Sequence, residues 1–178
     1  MSDQDSASAL DPDRILAVLD MCGVEYVLVG GVAAKAHGAR RATADIDCVP
    51  STDAVNLERL AEALRELGAR LRVAGMSDAE AKALPLQLDG VTLAAFGSST
   101  WMTDAGPLDL LVELRDPSGG RHPYEDLVSR ASDIAVGGVI VRIASLSDIV
   151  ASKQYAARPK DLEALPELLG LIEGLEGD

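Results

Sequence analysis

The chain has 178 residues, 48% hydrophobic and 25% charged, which suits one globular domain spanning residues 1–178 and excludes a disordered chain. Its formal net charge of −13 argues against the broad basic surface of a typical nucleic-acid-binding protein. The acidic N-terminus does not resemble a signal peptide, and no apolar run reaches the roughly 18 residues of a membrane span. We therefore expect a cytoplasmic protein with no membrane contact, whose residues 1–10 are flexible. Cys22 and Cys48 form no CxxC pair, so neither a disulfide framework nor a zinc site is expected.

The first half of the chain predicts helices alternating with buried strands. Tyr26 to Val29 is a short apolar run typical of a strand that is buried on both faces. Asp53 to Leu67 carries leucines at helical spacing and is followed by Gly68, a common helix terminator. In chain order we predict a helix at 11–23, a strand at 26–29, a short helix at 32–38, a strand at 46–49 and a helix at 53–67.

The second half is less regular. Gly137-Gly138 between two apolar runs indicates a hairpin. Pro166 should bend the last helix or delay its start. We predict a short helix or mobile loop at 76–84, strands at 91–96 and 108–114 with a turn at 104–107, a hairpin of 134–136 with 139–143, and helices at 147–155 and 161–175. The pattern predicts one mixed α/β (α+β) domain, with a mixed sheet flanked by helices and with helices at the C-terminus.

Asp45-Ile46-Asp47 is the motif that most directly suggests chemistry. If these residues lie on a strand, both carboxylates project from one face while Ile46 faces the core. Two adjacent carboxylates repel each other unless a cation lies between them. Mg²⁺ prefers carboxylate oxygens together with substrate phosphates. An Asp-x-Asp sequence alone is weak evidence, because it often occurs by chance at the ends of strands.

Two further features support a site for an anionic substrate. Gly30-Gly31 ends a buried strand and opens a helix, where backbone N–H groups can meet a phosphate, although a simple tight turn would use the same residues. Asp109 lies within an apolar run, so its carboxylate should be paired, exposed at a strand end or bound to a metal. The chain also has two segments that are basic and contain no acid: one holds Lys35, Arg40 and Arg41, and the other holds Lys153, Arg158 and Lys160.

One pattern in the first third of the chain resembles the signature of the DNA polymerase β-like nucleotidyltransferase superfamily. It consists of Val29-Gly30-Gly31, a spacer of 13 residues and Asp45-Ile46-Asp47-Cys48. The chain resembles the AbiEii/MenT group of toxin nucleotidyltransferases still more closely. That resemblance rests on the following matches: His37-Gly38, Arg40, Arg41, Thr43, the segment from Ser147 to Lys153, and Arg158 to Asp161. It covers the first third and the last fifth of the chain and hardly touches the middle. The resemblance implies a nucleotidyltransferase fold.

It also implies nucleotidyl transfer from an NTP to an acceptor hydroxyl with the help of Mg²⁺. Asp45 and Asp47 would bind metal, and Asp109 would be a third ligand or the proton acceptor. Gly30 and Gly31 would bind phosphate through their backbone. The expected nucleotide-binding cations are Lys153, Arg41 and Arg40, whereas Lys35 is better explained as a solvated helix lysine.

Three residues keep two interpretations each. His37 could contact substrate or cap its own helix. Asp161 matches a functional acid of the toxin group but could equally be an acid at a helix N-terminus. Thr43 matches a position that an antitoxin can phosphorylate in the toxin group, or it could only shape the turn before Asp45.

The leading hypothesis is a toxin of a toxin–antitoxin system that adds nucleotides, from CTP or UTP, to the 3′ acceptor end of tRNA, with an antitoxin encoded nearby. Its tRNA substrate rests on the resemblance alone. The second hypothesis is a small-molecule nucleotidyltransferase of the antibiotic-modifying kind, because an anionic surface suits a cationic drug. The third is a catalytically silent regulatory module.

Overall fold

The structure is a computed structural model that describes residues 9–176. The predicted flexible terminus therefore lies largely outside the described residues. Leu10, at its end, packs against the core beside Gly106. Within residues 9–176, no helix is long and apolar enough to cross a membrane.

The chain alternates helices and strands, as the sequence predicts. The helices are α1 (Pro12–Met21), α2 (Gly30–Ala36), α3 (Ala54–Glu66), α4 (Asp78–Lys82), α5 (Gly90–Ala95), α6 (Tyr124–Val128), α7 (Leu146–Ala156) and α8 (Pro159–Glu176). The strands are β1 (Tyr26–Val29), β2 (Ile46–Pro50), β3 (Arg70–Leu71), β4 (Ser99–Thr103), β5 (Gly106–Leu110), β6 (Leu114–Arg115), β7 (Arg121–His122), β8 (Ser132–Val136) and β9 (Val139–Ile143).

Seven strands form one mixed sheet in the order β3-β4-β5-β2-β1-β9-β8, and β6 and β7 form a small separate ribbon. In the seven-stranded sheet, β2 pairs with β5 in parallel and with β1 in antiparallel fashion. The strand β1 is central and all four of its residues are buried, as expected for a strand covered on both faces. This mixed sheet with flanking helices confirms the predicted fold class.

Two predicted strands differ from the structure, and one strand was not predicted. Residues 91–96 belong to α5, because Asp89 caps this helix through a hydrogen bond from the Thr92 N–H at 2.8 Å and Gly90 fits closely against α3. The strand predicted at 108–114 is β5, which begins at Gly106 and ends at Leu110. The sequence patterns did not predict β4, although its Trp101 is 1% exposed and packs deep in the core.

Other boundaries are closer to the predictions. The segment at 76–84 contains α4, which Ser77 and Glu80 begin with reciprocal hydrogen bonds to each other's backbone N–H. The predicted hairpin is present as β8 and β9, with Gly137 and Gly138 at positive φ in its turn. Pro166 lies inside α8 and does not delay its start, since the helix already begins at Pro159.

Candidate active site

A cavity of about 340 Å³ lies at the junction of β1 and α2, next to β2, β5, α7 and α8. It brings together residues that are far apart in the sequence. The predicted site residues that line it are Gly30, Gly31, Arg41, Thr43, Asp45, Asp47, Asp109, Lys153 and Asp161. Arg40 is not among the lining residues; its backbone N–H donates to Glu167 at 2.8 Å.

The sheet register places Asp47 beside Asp109 at the cavity, and Asp45 precedes the same strand. Asp47 pairs with Asp109 across the parallel strands β2 and β5, and with Val29 across β1. Asp45 lies just before β2 rather than within it, so the prediction that both acids of the motif lie on the strand is wrong for this residue. It still lines the cavity, and its carboxylate accepts a hydrogen bond from the Thr43 hydroxyl at 3.1 Å.

The cavity holds negatively charged side chains that are partly buried from water. Burial raises the pKa of Asp47 to about 7, with further contributions from the charges of Asp45 and Asp109. Burial also raises the pKa of Asp109, and the neighbouring Thr100 offsets only part of that effect. Holding all three carboxylates ionised at neutral pH therefore costs free energy unless a cation compensates them.

A divalent cation fits this donor set. Asp109 Oδ1 is buried and has no hydrogen-bond partner among the described residues, so it has an oxygen lone pair available for a ligand. Within residues 9–176, no three His, Cys, Asp or Glu side chains are close enough together to hold a metal ion on their own. Mg²⁺ commonly takes only one or two carboxylates and completes its shell with water and substrate phosphates, so Asp45, Asp47 and Asp109 suit an ion that arrives with its substrate.

Gly30 and Gly31 are required by close packing at the cavity wall. A Cβ on Gly30, whose φ is +68°, would overlap the Asp47 carboxylate and lie 2.7 Å from its Cγ. A Cβ on Gly31 would lie 2.7 Å from Cβ of Thr43. Gly30 thus lets the start of α2 approach the Asp47 carboxylate, and Gly31 lets it approach Thr43.

Lys153 and Asp161 form a buried ion pair between α7 and α8. Lys153 Nζ lies 3.3 Å from Asp161 Oδ1, and Arg158 Nε lies 2.6 Å from Asp161 Oδ2. Asp161 is 2% exposed. Burial alone would raise the pKa of Asp161, but hydrogen bonds and charges from Arg158 and Lys153 outweigh it and lower that pKa. Asp161 is therefore an anion that orients two cations at the cavity.

The remaining basic residues differ in their availability. Arg41 lines the cavity but pairs with Glu163 at 3.0 Å. Arg158 and Lys160 also line the cavity, and the charge of Lys160 acts on both Asp47 and Asp109. Neither residue was predicted as part of the site, although the acid-free segment that contains both was a usable signal.

Two other candidates lie away from the cavity lining. Lys35 is exposed in the last turn of α2. His37 Nε2 donates to the Ala144 carbonyl at 2.8 Å, so its ring links α2 to the segment after β9 rather than capping its own helix.

The sequence matches no protein-family model and no curated protein. The fold is similar to that of the lincosamide antibiotic adenylyltransferase LnuA, solved with lincomycin bound, with a TM-score of 0.58 and 16% identity over 92% of this chain and 99% of that one. The antibiotic-resistance factor ANT(2″)-Ia, solved in complex with adenylyl-2″-tobramycin, gives a TM-score of 0.54 and 17% identity over 92% of this chain and 93% of that one. A candidate nucleotidyltransferase from Thermotoga maritima gives a TM-score of 0.50 and 14% identity over 93% of this chain and 98% of that one.

These proteins are similar to the chain along nearly their whole length, but at identities that establish the fold alone. They support the predicted fold and do not bear on the resemblance to the AbiEii/MenT group. The chain has the nucleotidyltransferase fold.

Proposed function

We propose that the chain is a Mg²⁺-dependent nucleotidyltransferase that moves a nucleotide from an NTP to an acceptor hydroxyl. The observation that carries this proposal is the convergence of Asp45, Asp47 and Asp109 in one cavity with Gly30 and Gly31 at its wall. An NTP-using enzyme of this kind would work in the cytoplasm, and the chain would act as a single domain.

The residues that line the cavity would have different roles in the reaction. Asp45 and Asp47 would hold Mg²⁺, which when bound supplies a Lewis acid at the α-phosphate. Asp109 would be a third ligand or accept the proton of the attacking hydroxyl, a role that its raised pKa favours. The backbone of Gly30 and Gly31 would contact phosphate, and Lys153 would neutralise the triphosphate while Asp161 keeps it in place.

The experiment is direct. Purified protein is incubated with Mg²⁺ and each labelled NTP in turn, with total tRNA or with aminoglycosides as acceptor. The wild type should transfer label, and Asp45→Ala should lose at least about 100-fold in rate because a metal-binding carboxylate is gone. Wild-type protein that labels neither acceptor with any NTP would count against an enzyme and favour the silent regulatory module.

The tRNA 3′ acceptor end is the acceptor that the toxin resemblance suggests, with CTP or UTP as the donor. Label that appears on tRNA, and is stronger with pyrimidine than with purine NTPs, would support it. A small cationic acceptor is the second candidate, favoured by the net charge of −13 and by folds similar to those of antibiotic adenylyltransferases. Label on aminoglycoside and not on tRNA would select it.

Thr43 is a proposed regulatory position. Its hydroxyl donates to Asp45 at 3.1 Å, so a phosphate there would add nearly two negative charges beside carboxylates that must collect Mg²⁺ and triphosphate. We expect co-expression with a neighbouring antitoxin gene to add the mass of one phosphate at Thr43. An inhibited complex with unmodified Thr43 would rule this out.

A further inference from the structure

The row of polar residues that holds Asp47 and Asp109 continues across the sheet beyond the cavity. Asp109 on β5 pairs with Thr100 on β4. Arg72, directly after β3, donates its backbone N–H to the Thr100 carbonyl at 2.8 Å. Four neighbouring chain segments thus place Asp47, Asp109, Thr100 and Arg72 side by side.

Burial indicates that this row lies on one face of the sheet. Residues that are directly opposite each other on neighbouring strands point to the same face, and their sequence neighbours point to the other. The neighbours Trp101 and Leu108 are 1% and 0% exposed, whereas Thr100 is half-buried and Arg72 is exposed. The charge of Arg72 also acts on Asp109, in agreement with a position on the same face of the sheet.

No ion pair within the described residues accounts for the charge of Arg72. Among residues 9–176, no carboxylate lies within 4.0 Å of its guanidinium, whereas Arg70, two residues earlier, pairs with both Asp78 and Asp104. Arg72 is not part of the cavity lining either. The face that carries the carboxylates therefore ends in an exposed and uncompensated cation.

The position of Arg72 corresponds to the acceptor side of the proposed reaction. The cations suited to a triphosphate, Lys153, Arg158 and Lys160, line the cavity together with the glycine wall. In phosphoryl-type transfer the attacking and leaving oxygens lie roughly in line, so the acceptor must approach from the side opposite the pyrophosphate. Across Asp109 from the glycine wall, that side is formed by β4 and β3.

We propose that Arg72 is an acceptor-binding residue that holds an anionic group, a backbone phosphate of a polynucleotide, beside Asp109. The inference rests on the proposed function for the identity of its ligand as the acceptor. It selects a polynucleotide over a cationic small molecule, because an arginine without a carboxylate partner on the acceptor side would repel an aminoglycoside.

Binding of fluorescently labelled total tRNA, measured by anisotropy over a range of salt without NTP, tests the proposal. Arg72→Gln should weaken binding about 3- to 10-fold and lower the slope of log K against log salt by about 1, as expected when one phosphate contact is lost. Arg72→Lys should keep most of the affinity, because it keeps the charge. Arg14→Gln, the same change at an exposed arginine of α1, is the matched control and should bind like the wild type.

In the transfer assay, Arg72→Gln should raise KM for tRNA and leave KM for the NTP unchanged. Three results would overturn the proposal. Arg72→Gln could bind tRNA as tightly as the wild type, Arg14→Gln could lose as much affinity as Arg72→Gln, or the wild type could bind no tRNA at all. Arg72-dependent binding by a protein that transfers nucleotide to no acceptor would support the anionic site and refute the proposed function. Transfer to an aminoglycoside, together with tRNA binding that does not depend on Arg72, would support the proposed function and refute the anionic site.

Discussion

The side chains that surround Gly30 restrict this position more than the turn itself does. Its φ of +68° already disfavours any other residue, and the Asp47 carboxylate occupies the space where a Cβ would lie. The sequence pattern predicted a glycine-lined phosphate site here. It could not predict that the glycine is needed for contact with Asp47, because that contact depends on the pairing of β1 with β2.

Replacing Gly30 by alanine should therefore impair the site as well as the fold. Gly23 is the matched control, since its φ is +66° and nothing lies within 4 Å of the position of a Cβ. We expect Gly23→Ala to lower the free energy of unfolding by about 1 kcal/mol through backbone strain and to keep transfer activity. Gly30→Ala should lose more stability and most activity, as measured by urea unfolding and NTP transfer. Equal effects of the two substitutions on both measurements would contradict the contact with Asp47.

The raised pKa of Asp47 makes a prediction about stability and pH. In metal-free protein its folded pKa is about 7, above the ordinary value of 3.8, so the folded state binds more protons than the unfolded state between these values. The contribution of Asp47 to stability is thus full below about pH 4 and is lost as the pH rises to 7. Asp47→Asn removes this penalty, and in EDTA it should be more stable than the wild type by roughly 1–3 kcal/mol at pH 8.

Urea unfolding in EDTA at several values between pH 4 and 8 measures the effect of Asp47→Asn. The difference between variant and wild type should grow up to pH 7 and stay constant above it. A difference that does not depend on pH would show that Asp47 titrates at its ordinary value.

At the scale of elements, α7 and α8 are joined at the cavity by the ion pairs of Asp161. An interaction of this kind costs desolvation when it forms, and removing one partner leaves a cation poorly compensated. Asp161→Asn should lower the free energy of unfolding by about 2 kcal/mol. The control is Asp133→Asn, which breaks the exposed pair with Arg142 at 2.6 Å and should cost less than about 1 kcal/mol.

The Asp161→Asn variant also separates stability from orientation. At a temperature where it is fully folded, its KM for the NTP should rise because Lys153 is no longer held in place. Urea unfolding and steady-state kinetics on the same preparations measure both effects. Losses that are equal at Asp161 and Asp133 would mean that the buried pair stabilises no more than a surface pair.

Elements with strong local signals were predictable, and those set by tertiary contacts were not. The strand β1, the helix α3 and the hairpin of β8 and β9 follow from apolar periodicity and glycine placement. The helix α5 contains Val91 and Thr92, which favour a strand, but its cap at Asp89 and its packing against α3 decide in favour of a helix. Motif spacing singled out Asp45 and Asp47, and the apolar run around Asp109 singled out that acid. The place of Arg72 requires the register of three strands.

For the whole molecule, the net charge of −13 means that folding brings many carboxylates together. Added NaCl should stabilise the protein by screening this repulsion. The proposed Mg²⁺ site at Asp45, Asp47 and Asp109 would add a second effect, because an ion that binds only the folded state stabilises it by mass action. The two effects can be separated, since screening depends on ionic strength and binding depends on the ion.

With an NTP present in both samples, we expect MgCl₂ to raise Tm more than NaCl of the same ionic strength, by a few degrees when Mg²⁺ and the NTP are well above their Kd. In Asp47→Asn the NaCl effect should remain, because it arises from the whole surface, and the additional Mg²⁺ effect should disappear. Asp133→Asn is the control for the loss of one negative charge far from the cavity and should keep both effects. If Mg²⁺ and matched NaCl gave the same Tm in the wild type with the NTP present, the carboxylates would repel each other without binding an ion, and the proposal of a metal-dependent transferase would lose its physical basis.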